Sequence, residues 1–197
     1  MVAMIRQQRL DGRVGNELRP FACEQGALFR ADGSARMSHG SSTVLAAVHG
    51  PGQARNWRNE KTDKATLDRP RRKIISIVIQ VIEDNGSLLA VAINAVSLAL
   101  MDAGIPMSSL VTAASCGIFA DGNLYLDPSS VEEEEAVSWV TTSRSSTSDG
   151  VLTCITNGML SEEQYFACSE ACQRASENVA AFFRIVQQKK HPVESIS

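Results

Sequence analysis

The chain has 197 residues, with 44% apolar and 21% charged residues and a formal net charge of −3. That is enough for one sizeable core, and it excludes wholesale disorder. The longest apolar run, Leu88 to Met101, contains Asn94 and Ser97 and falls short of a membrane span.

Residues 6–25 read as an extended, polar lead-in punctuated by Asp11-Gly12 and Arg19-Pro20. A hairpin is expected next, from Ala27–Ala31 through an Asp32-Gly33 turn into Ser34–Met37, because Asp-Gly tolerates the positive φ of a tight turn. Thr43–Val48 forms a third strand closed by Gly50-Pro51. Residues 52–73 are a basic, irregular loop or strand extension that ends in Arg69-Pro70-Arg71-Arg72-Lys73. Ile74–Ile82 is the strongest strand signal, and its almost unbroken β-branched character predicts burial on both faces.

After Asp84-Asn85-Gly86-Ser87 a helix is expected over Leu88–Asp102, stopped by Gly104 with Pro106 beyond. Leu110–Phe119 is a strand, Asp121-Gly122 its turn and Leu124–Leu126 its return. Beyond Asp127-Pro128 and the run Glu132–Glu135, Val137–Thr142 is a strand by alternation, Ser143–Gly150 a polar loop and Val151–Thr156 another strand. Ser161 and Gln164 make a capping box for a last long helix. Its apolar stripe is Tyr165, Cys168, Cys172, Ala175, Val179, Phe182 and Val186. The order is α/β in content (α+β), with a βαβ crossover in the second half.

Five cysteines form no C-x-x-C pair, and the first 20 residues lack the apolar core of a secretory signal, so reduced thiols in an intracellular protein are expected. Cys168 and Cys172, four apart on the helix stripe, fit packed small hydrophobes better than ligands. Three scattered histidines do not suggest a zinc site, and no metal ligand is assigned. Charge is split: residues 1–73 hold 14 Lys/Arg against 7 Asp/Glu, and residues 74–197 hold 5 against 15. A basic half suits a polyanion; solvated surface explains it equally well.

Three places can carry chemistry. At Asn85-Gly86-Ser87 a strand turns into a helix, where free backbone N–H groups and the helix dipole make an anion seat; Ser87 as a simple helix cap is the plainer reading. The acids Asp127 and Glu132–Glu135 can protonate a leaving oxygen or hold a metal, or form an ordinary solvated face. Arg55, Arg58, Lys61, Lys64, Arg69, Arg71, Arg72 and Lys73, with Trp57 among them, suit phosphodiester contacts plus stacking, or form a basic loop.

Several segments, in order, resemble the ribonuclease PH family: Asp11-Gly12-Arg13 with Asn16-Glu17-Leu18-Arg19-Pro20; Gly33-Ser34-Ala35 and Gly40-Ser41-Ser42-Thr43-Val44-Leu45-Ala46 ending at His49-Gly50-Pro51; Ile79-Gln80-Val81 through Asp84-Asn85-Gly86-Ser87-Leu88-Leu89-Ala90; Ile93-Asn94-Ala95; Asp102 through Met107; and Asp127-Pro128-Ser129 followed by glutamates. The variant Ser87-Leu88-Leu89 is similar to the family's eukaryotic exosome-ring branch. The resemblance implies a ribosomal-protein-S5-domain-2-like βαβ fold in a single domain, with basic strands over 1–73, an acidic half over 74–190 and a tail over 191–197.

It further implies a phosphate-dependent 3′-to-5′ exoribonuclease lineage with inorganic phosphate as co-substrate if active, Mg possible and no organic cofactor. Its implied partners are single-stranded RNA, other ribonuclease PH-like ring subunits or a second copy, with no membrane, and its implied location is nucleus, nucleolus and cytoplasm. Carried onto this chain, Asn85, Gly86 and Ser87 are the phosphate seat, and Glu133, Glu135 and Asp127 the candidate acids. Arg55, Arg58, Lys61, Arg69, Arg71, Arg72 and Lys73 are the candidate RNA contacts. Two departures point to a ring subunit with weak or no catalysis rather than an active phosphorolytic nuclease: Leu88 stands where active members place Arg, and only Asp68–Lys73 bridges a gap where members have a further strand end and a long helix.

Overall fold

The computed structural model describes Arg9 and residues 11–53, 73–147 and 150–190. Two four-stranded antiparallel sheets and three helices make up the described residues. The first runs in the order β1 (Phe21–Gln25), β2 (Gly33–His39), β3 (Ser42–Gln53) and β4 (Lys73–Glu83). Then follow α1 (Leu88–Asp102), β5 (Val111–Ile118), β6 (Leu124–Leu126), the single-turn-and-a-half α2 (Ser130–Glu135), β7 (Ser138–Ser145), β8 (Val151–Gly158) and α3 (Glu162–Lys190). The second sheet has the order β6-β5-β7-β8.

Helix α1 forms where the sequence places it, because it is apolar on nearly every side and is covered on two. Val91, Ala95, Leu98 and Ala99 pack with Met37, Val44, Ala46 and Val48 of the first sheet and with Val179 and Phe183 of α3. Its other flank meets β5. There Asn94 exchanges two 2.9 Å bonds with the backbone N–H and C=O of Ala113, and the Ser97 hydroxyl donates to the Val111 carbonyl. The two polar residues that interrupt the apolar run are therefore the ones that fasten the helix to the second sheet. Cys116, Cys168, Cys172, Ala114, Ile118 and Val140 fill a second core between that sheet and the first half of α3, with both helix cysteines packed as apolar side chains.

Five local readings change. The hairpin strand expected at Ala27–Ala31 is instead β1, which ends at Gln25; Gly26 turns left-handed at φ +71 and Phe29 stands fully in solvent. Asp32-Gly33 is not the hairpin turn: the Asp32 carboxylate accepts the Gly50 N–H at 2.6 Å, and Gly33 opens β2. At the other end, β3 runs past Gly50-Pro51 with a register break between His49 and Gly52. Strand β7 continues to Ser145, into the expected loop. In α3 the fully buried ring is Phe183, with Phe182 only partly covered.

The strand–helix–strand unit β4-α1-β5 is present, but its strands belong to different sheets and pair only antiparallel neighbours. The largest difference concerns β4. It is the edge of its sheet, and Ile74, Ile75, Ile77, Val78, Ile79, Val81 and Ile82 are each between 41% and 55% exposed. Helix α1 sits over β2 and β3 and leaves β4 mostly outside its footprint. Burial on both faces was written into the strand's composition, yet among the described residues nothing supplies it.

Candidate functional site

Two turns meet at the start of α1. Leaving β4, the Asp84 carboxylate accepts the Gly86 N–H, and Gly86 (φ +86) and Ser87 (φ +55) both take left-handed backbone. Leaving β6, Asp127 is also left-handed, at φ +51, and leads through Pro128 into α2. Glycine is required at 86 by proximity as well as by φ, since a Cβ there would lie 2.4 Å from the Pro128 oxygen. The turns are stitched together: the Ser87 hydroxyl donates to Pro128 O at 3.1 Å, the Ser130 hydroxyl to Asn85 Oδ1 at 2.9 Å, and the Ser87 N–H to Glu133 Oε1 at 2.6 Å.

Beneath them lies a buried charge lock. Asp127, 1% exposed, accepts from the Arg19 N–H (3.0 Å), Nε (2.7 Å) and Nη2 (2.6 Å), with Arg13 Nη1 at 3.4 Å and His39 Nε2 at 3.1 Å. The same Arg19 donates to the carbonyls of Asn85 (2.6 Å) and Gly86 (3.0 Å), so one guanidinium ties the lead-in to both turns. Ser42 closes the lock from β3, donating to Gly86 O and accepting the Asn85 N–H. Alongside, Arg9 makes a bidentate pair with Glu132 and also donates to Leu126 O and Asp127 O. Glu132 additionally accepts the Ser129 N–H in a capping box for α2.

Neighbouring acids are driven in opposite directions. Burial pushes the Asp127 carboxyl up, but the Arg19 and His39 hydrogen bonds and charges overwhelm it and hold the group far below the usual carboxylate range. Burial likewise raises Glu132, and Arg9 with the Ser129 amide brings it below its ordinary value. Glu133 is raised: burial dominates, and the Ser87 amide offsets it only partly against the nearby charges of Asp84 and Asp127. Two adjacent glutamates are thus shifted in opposite directions, because Glu132 is paired with the Arg9 guanidinium whereas Glu133 is held mainly by the Ser87 amide.

Asn85, Gly86, Ser87, Asp127 and Glu133 are brought together here, whereas Glu135 lies exposed at the end of α2. Ser87 occupies the cap position of α1 without capping it, because its hydroxyl is spent on Pro128 O. Leu88 is half-buried and packs against the core around α1. Of the basic stretch, Arg55, Arg58, Lys61, Lys64, Arg69, Arg71 and Arg72, with Trp57, lie outside the described residues, and the Lys73 backbone begins β4.

No three His, Cys, Asp or Glu side chains gather to hold a metal among the described residues. Mg²⁺ does not fit the acids at this site, because Asp127 and Glu132 are already committed to guanidiniums and Glu133 to an amide. Arg9, Arg13, Arg19, His39 and Ser42 were not singled out from composition or spacing. The available signal was three arginines at the first positions of a lead-in too polar to be a core strand.

The model described as the 3′ exoribonuclease family, domain 1 (RNase_PH), matches residues 17–69 and again 64–106, and domain 2 of the same family matches residues 109–175. An exosome complex exonuclease RRP46 homolog of Oryza sativa subsp. japonica is 35% identical over 235 residues, taking in 95% of this chain and 99% of the relative. A crystal structure of rice Rrp46 has a TM-score of 0.80 at 33% identity, covering 91% of this chain and 100% of that one. A chain of the Archaeoglobus fulgidus exosome with RNA bound to the active site shares the fold, with a TM-score of 0.72 at 17% identity and coverage of 90% and 93%. The span aligned with the rice relative exceeds the length of this chain, so that relative carries residues with no counterpart here. The two domain 1 matches meet at residues 64–69, which puts a break in the family pattern just ahead of β4.

Proposed function

This chain belongs to the RNase PH family of 3′ exoribonucleases, and from that premise we propose that it is a ring subunit of an RNA exosome without phosphorolytic catalysis of its own. In this reading it contacts RNA and neighbouring RNase PH-like subunits during 3′-to-5′ RNA processing and degradation. The proteins it is similar to are exosome components, which supports the assignment. The setting is that of such complexes, nucleus, nucleolus and cytoplasm.

One observation carries the absence of catalysis: the Ser87 N–H, the central donor of the proposed phosphate seat Asn85-Gly86-Ser87, is occupied by the Glu133 carboxylate at 2.6 Å. A phosphate oxyanion would have to displace a group of its own charge type. The guanidinium that would make this worthwhile is absent, since position 88 is a core-packed leucine. The seat as it stands therefore does not fit phosphate. Asp127, the second candidate acid, acts as the anchor of the lock, and Glu135 faces solvent. RNA contact falls to Arg55, Arg58, Lys61, Arg69, Arg71, Arg72 and Lys73.

The active reading, a phosphorolytic nuclease working as a homodimer, has one feature in its favour: burial raises the Glu133 carboxyl, the direction in which a general acid is tuned. The two are separated by incubating the full chain with end-labelled single-stranded RNA, with and without phosphate. The expected result is RNA binding that weakens steeply with salt and with Arg71→Ala plus Arg72→Ala, and no nucleoside diphosphate. Phosphate-dependent release of nucleoside diphosphate that disappears in Ser87→Ala and Glu133→Ala would overturn the non-catalytic reading.

A further inference from the structure

The core between the second sheet and α3 is apolar along most of its length and turns polar at one end. On the side of the sheet that faces α3, Cys116 stands opposite Val140 and Ala114 opposite Thr142, but the next pair is Thr112 opposite Arg144. Helix α3 changes in step. Cys168, Cys172 and Ala175 pack into the core, while the adjoining face, Gln173, Ser176, Ala180 and Arg184, runs at three- and four-residue steps. That face lines a cleft of about 430 Å³, whose other wall is the hydroxyl-rich end of β7 at Ser145, Ser146 and Thr147.

Hydrogen-bond donors converge on this cleft. The Ser145 hydroxyl accepts the Thr147 N–H at 3.2 Å and the Ser146 hydroxyl accepts the Leu110 N–H at 3.0 Å, so each keeps its O–H to donate. Ser176 is 4% exposed, and its hydroxyl has no hydrogen-bond partner among the described residues. A buried hydroxyl in that state calls for a group that supplies one. Arg144 Nη2 donates to Ser169 Oγ at 3.1 Å, which sets the direction of the guanidinium without exhausting its five N–H groups. Arg184 stands exposed at the other end of the helix face, and Glu177 is the single acid among the described lining residues. No aromatic ring lines the cleft and Ala180 is its one apolar side chain, so it offers neither a stacking surface for a base nor a bed for a hydrocarbon chain. Its chemistry asks for an acceptor-rich anion.

We propose that this cleft is an oxyanion site: a phosphate group, free or within an RNA backbone, sits between Arg144 and Arg184, and the hydroxyls of Ser145, Ser146 and Ser176 donate to its oxygens. Guanidinium–phosphate contacts are of the strong, charge-assisted kind, and the hydroxyls satisfy the oxygens that the arginines do not reach. The site is distinct from the turn at Ser87. Ten residues of α1, about 15 Å of helix, separate Ser87 from Ser97, whose hydroxyl bonds the Val111 carbonyl next to Thr112. The proposal therefore stands apart from both the ring-subunit reading and the occupancy of that turn.

The full-length chain, labelled with nitrogen-15, is titrated with sodium phosphate at neutral pH while sodium chloride holds the ionic strength constant. Saturable shifts are expected at the amides of Thr112, Ser145, Ser146 and Ser176 and at the Arg184 Nε–H. Arg184→Ala should weaken binding about tenfold, the loss of one charge-assisted contact, and Arg184→Lys should recover part of it. Ala180→Leu leaves every charge in place but fills the cleft, and it should abolish the shifts with unchanged far-UV circular dichroism. A six-nucleotide uridine oligomer then identifies the source. If the phosphate belongs to RNA, the oligomer moves the same resonances and phosphate competes with it; if the ligand is a free phosphate, only phosphate moves them. Cleft resonances that neither probe moves, shifts that chloride alone reproduces, or shifts unchanged in both Arg184→Ala and Ala180→Leu would each overturn the site. The Ser87 amide, followed in the same spectra, reports on the α1 turn separately.

Discussion

Replacing Asp127 with Asn tests the buried lock with a change of one atom. The carboxylate is 1% exposed and the Arg19 side chain 8% exposed, so neither charge has solvent to fall back on. An asparagine that keeps its oxygen at the Oδ2 position retains the Arg19 N–H and Nε contacts of 3.0 and 2.7 Å. Its amide nitrogen then faces Arg19 Nη2 where Oδ1 accepted at 2.6 Å, donor against donor. The guanidinium is left buried without a countercharge, a change that costs about 3–5 kcal/mol, out of a total stability on the order of 5–15 kcal/mol.

The sign of the pH dependence follows from the depressed Asp127 pKa. The stabilisation is complete above the unfolded value of about 3.9 and is lost as pH falls through the folded one. The gap between wild type and Asp127→Asn should therefore narrow by about 1 kcal/mol between pH 7 and pH 3. Urea unfolding followed by far-UV circular dichroism at the two pH values measures both. A loss below about 1 kcal/mol at pH 7 is the size of a single neutral hydrogen bond, and that result, or a gap that does not move with pH, refutes the reading of Asp127 as an ionised anchor.

Three further changes probe the surroundings. Glu133→Gln keeps an acceptor for the Ser87 N–H but removes a charge that burial disfavours. Its urea midpoint should equal or exceed the wild type at pH 7, an advantage that vanishes below about pH 4.3, since a raised carboxyl stabilises only while protonated. Gly86→Ala drives a Cβ to 2.4 Å from Pro128 O in a left-handed residue, and calorimetry should show a loss of about 1–3 kcal/mol. Asn94→Ala strips the partners from both backbone groups of Ala113, costing about 2–5 kcal/mol, and hydrogen exchange at that amide should accelerate.

Much of the scaffold was legible because its signals are local. Helix α1 was bounded correctly, since Gly104 (φ +65) and the turn before Leu88 are both written in residue types. The capping box of α3 was legible too: the Ser161 N–H donates to Gln164 Oε1, and the Ser161 hydroxyl accepts the Gln164 N–H. Burial of β4 was misjudged because a β-branched run reports what a strand is suited to, whereas its neighbours decide what it receives. The charge lock was invisible to pattern reading, because Arg9 and Glu132 are 123 positions apart and Arg19 and Asp127 are 108 apart. The acidic run looked like a solvated face, and for Glu134 and Glu135 it is one; only the fold separates Glu132 and Glu133 from it.

The spent arginines and the occupied seat are one fact seen twice. Arg9, Arg13 and Arg19 all converge on Asp127 and Glu132. Glu133, one residue further along α2, makes no ion pair among the described residues and takes the Ser87 amide instead. A phosphate entering beside it would set two negative charges about 4 Å apart, a repulsion on the order of 4 kcal/mol at the effective dielectric of a protein surface, or roughly a thousandfold in affinity. Neutral amides at a helix start do not offset that. Protonation of Glu133 would relieve it, so residual phosphate binding at this turn must grow as pH falls through the raised Glu133 pKa, never as it rises. Titrating phosphate against the Ser87 amide resonance at descending pH measures this directly. A binding curve that is tight at neutral pH and flat across the range would mean that Glu133 swings away from Ser87, and that the turn is a working phosphate site.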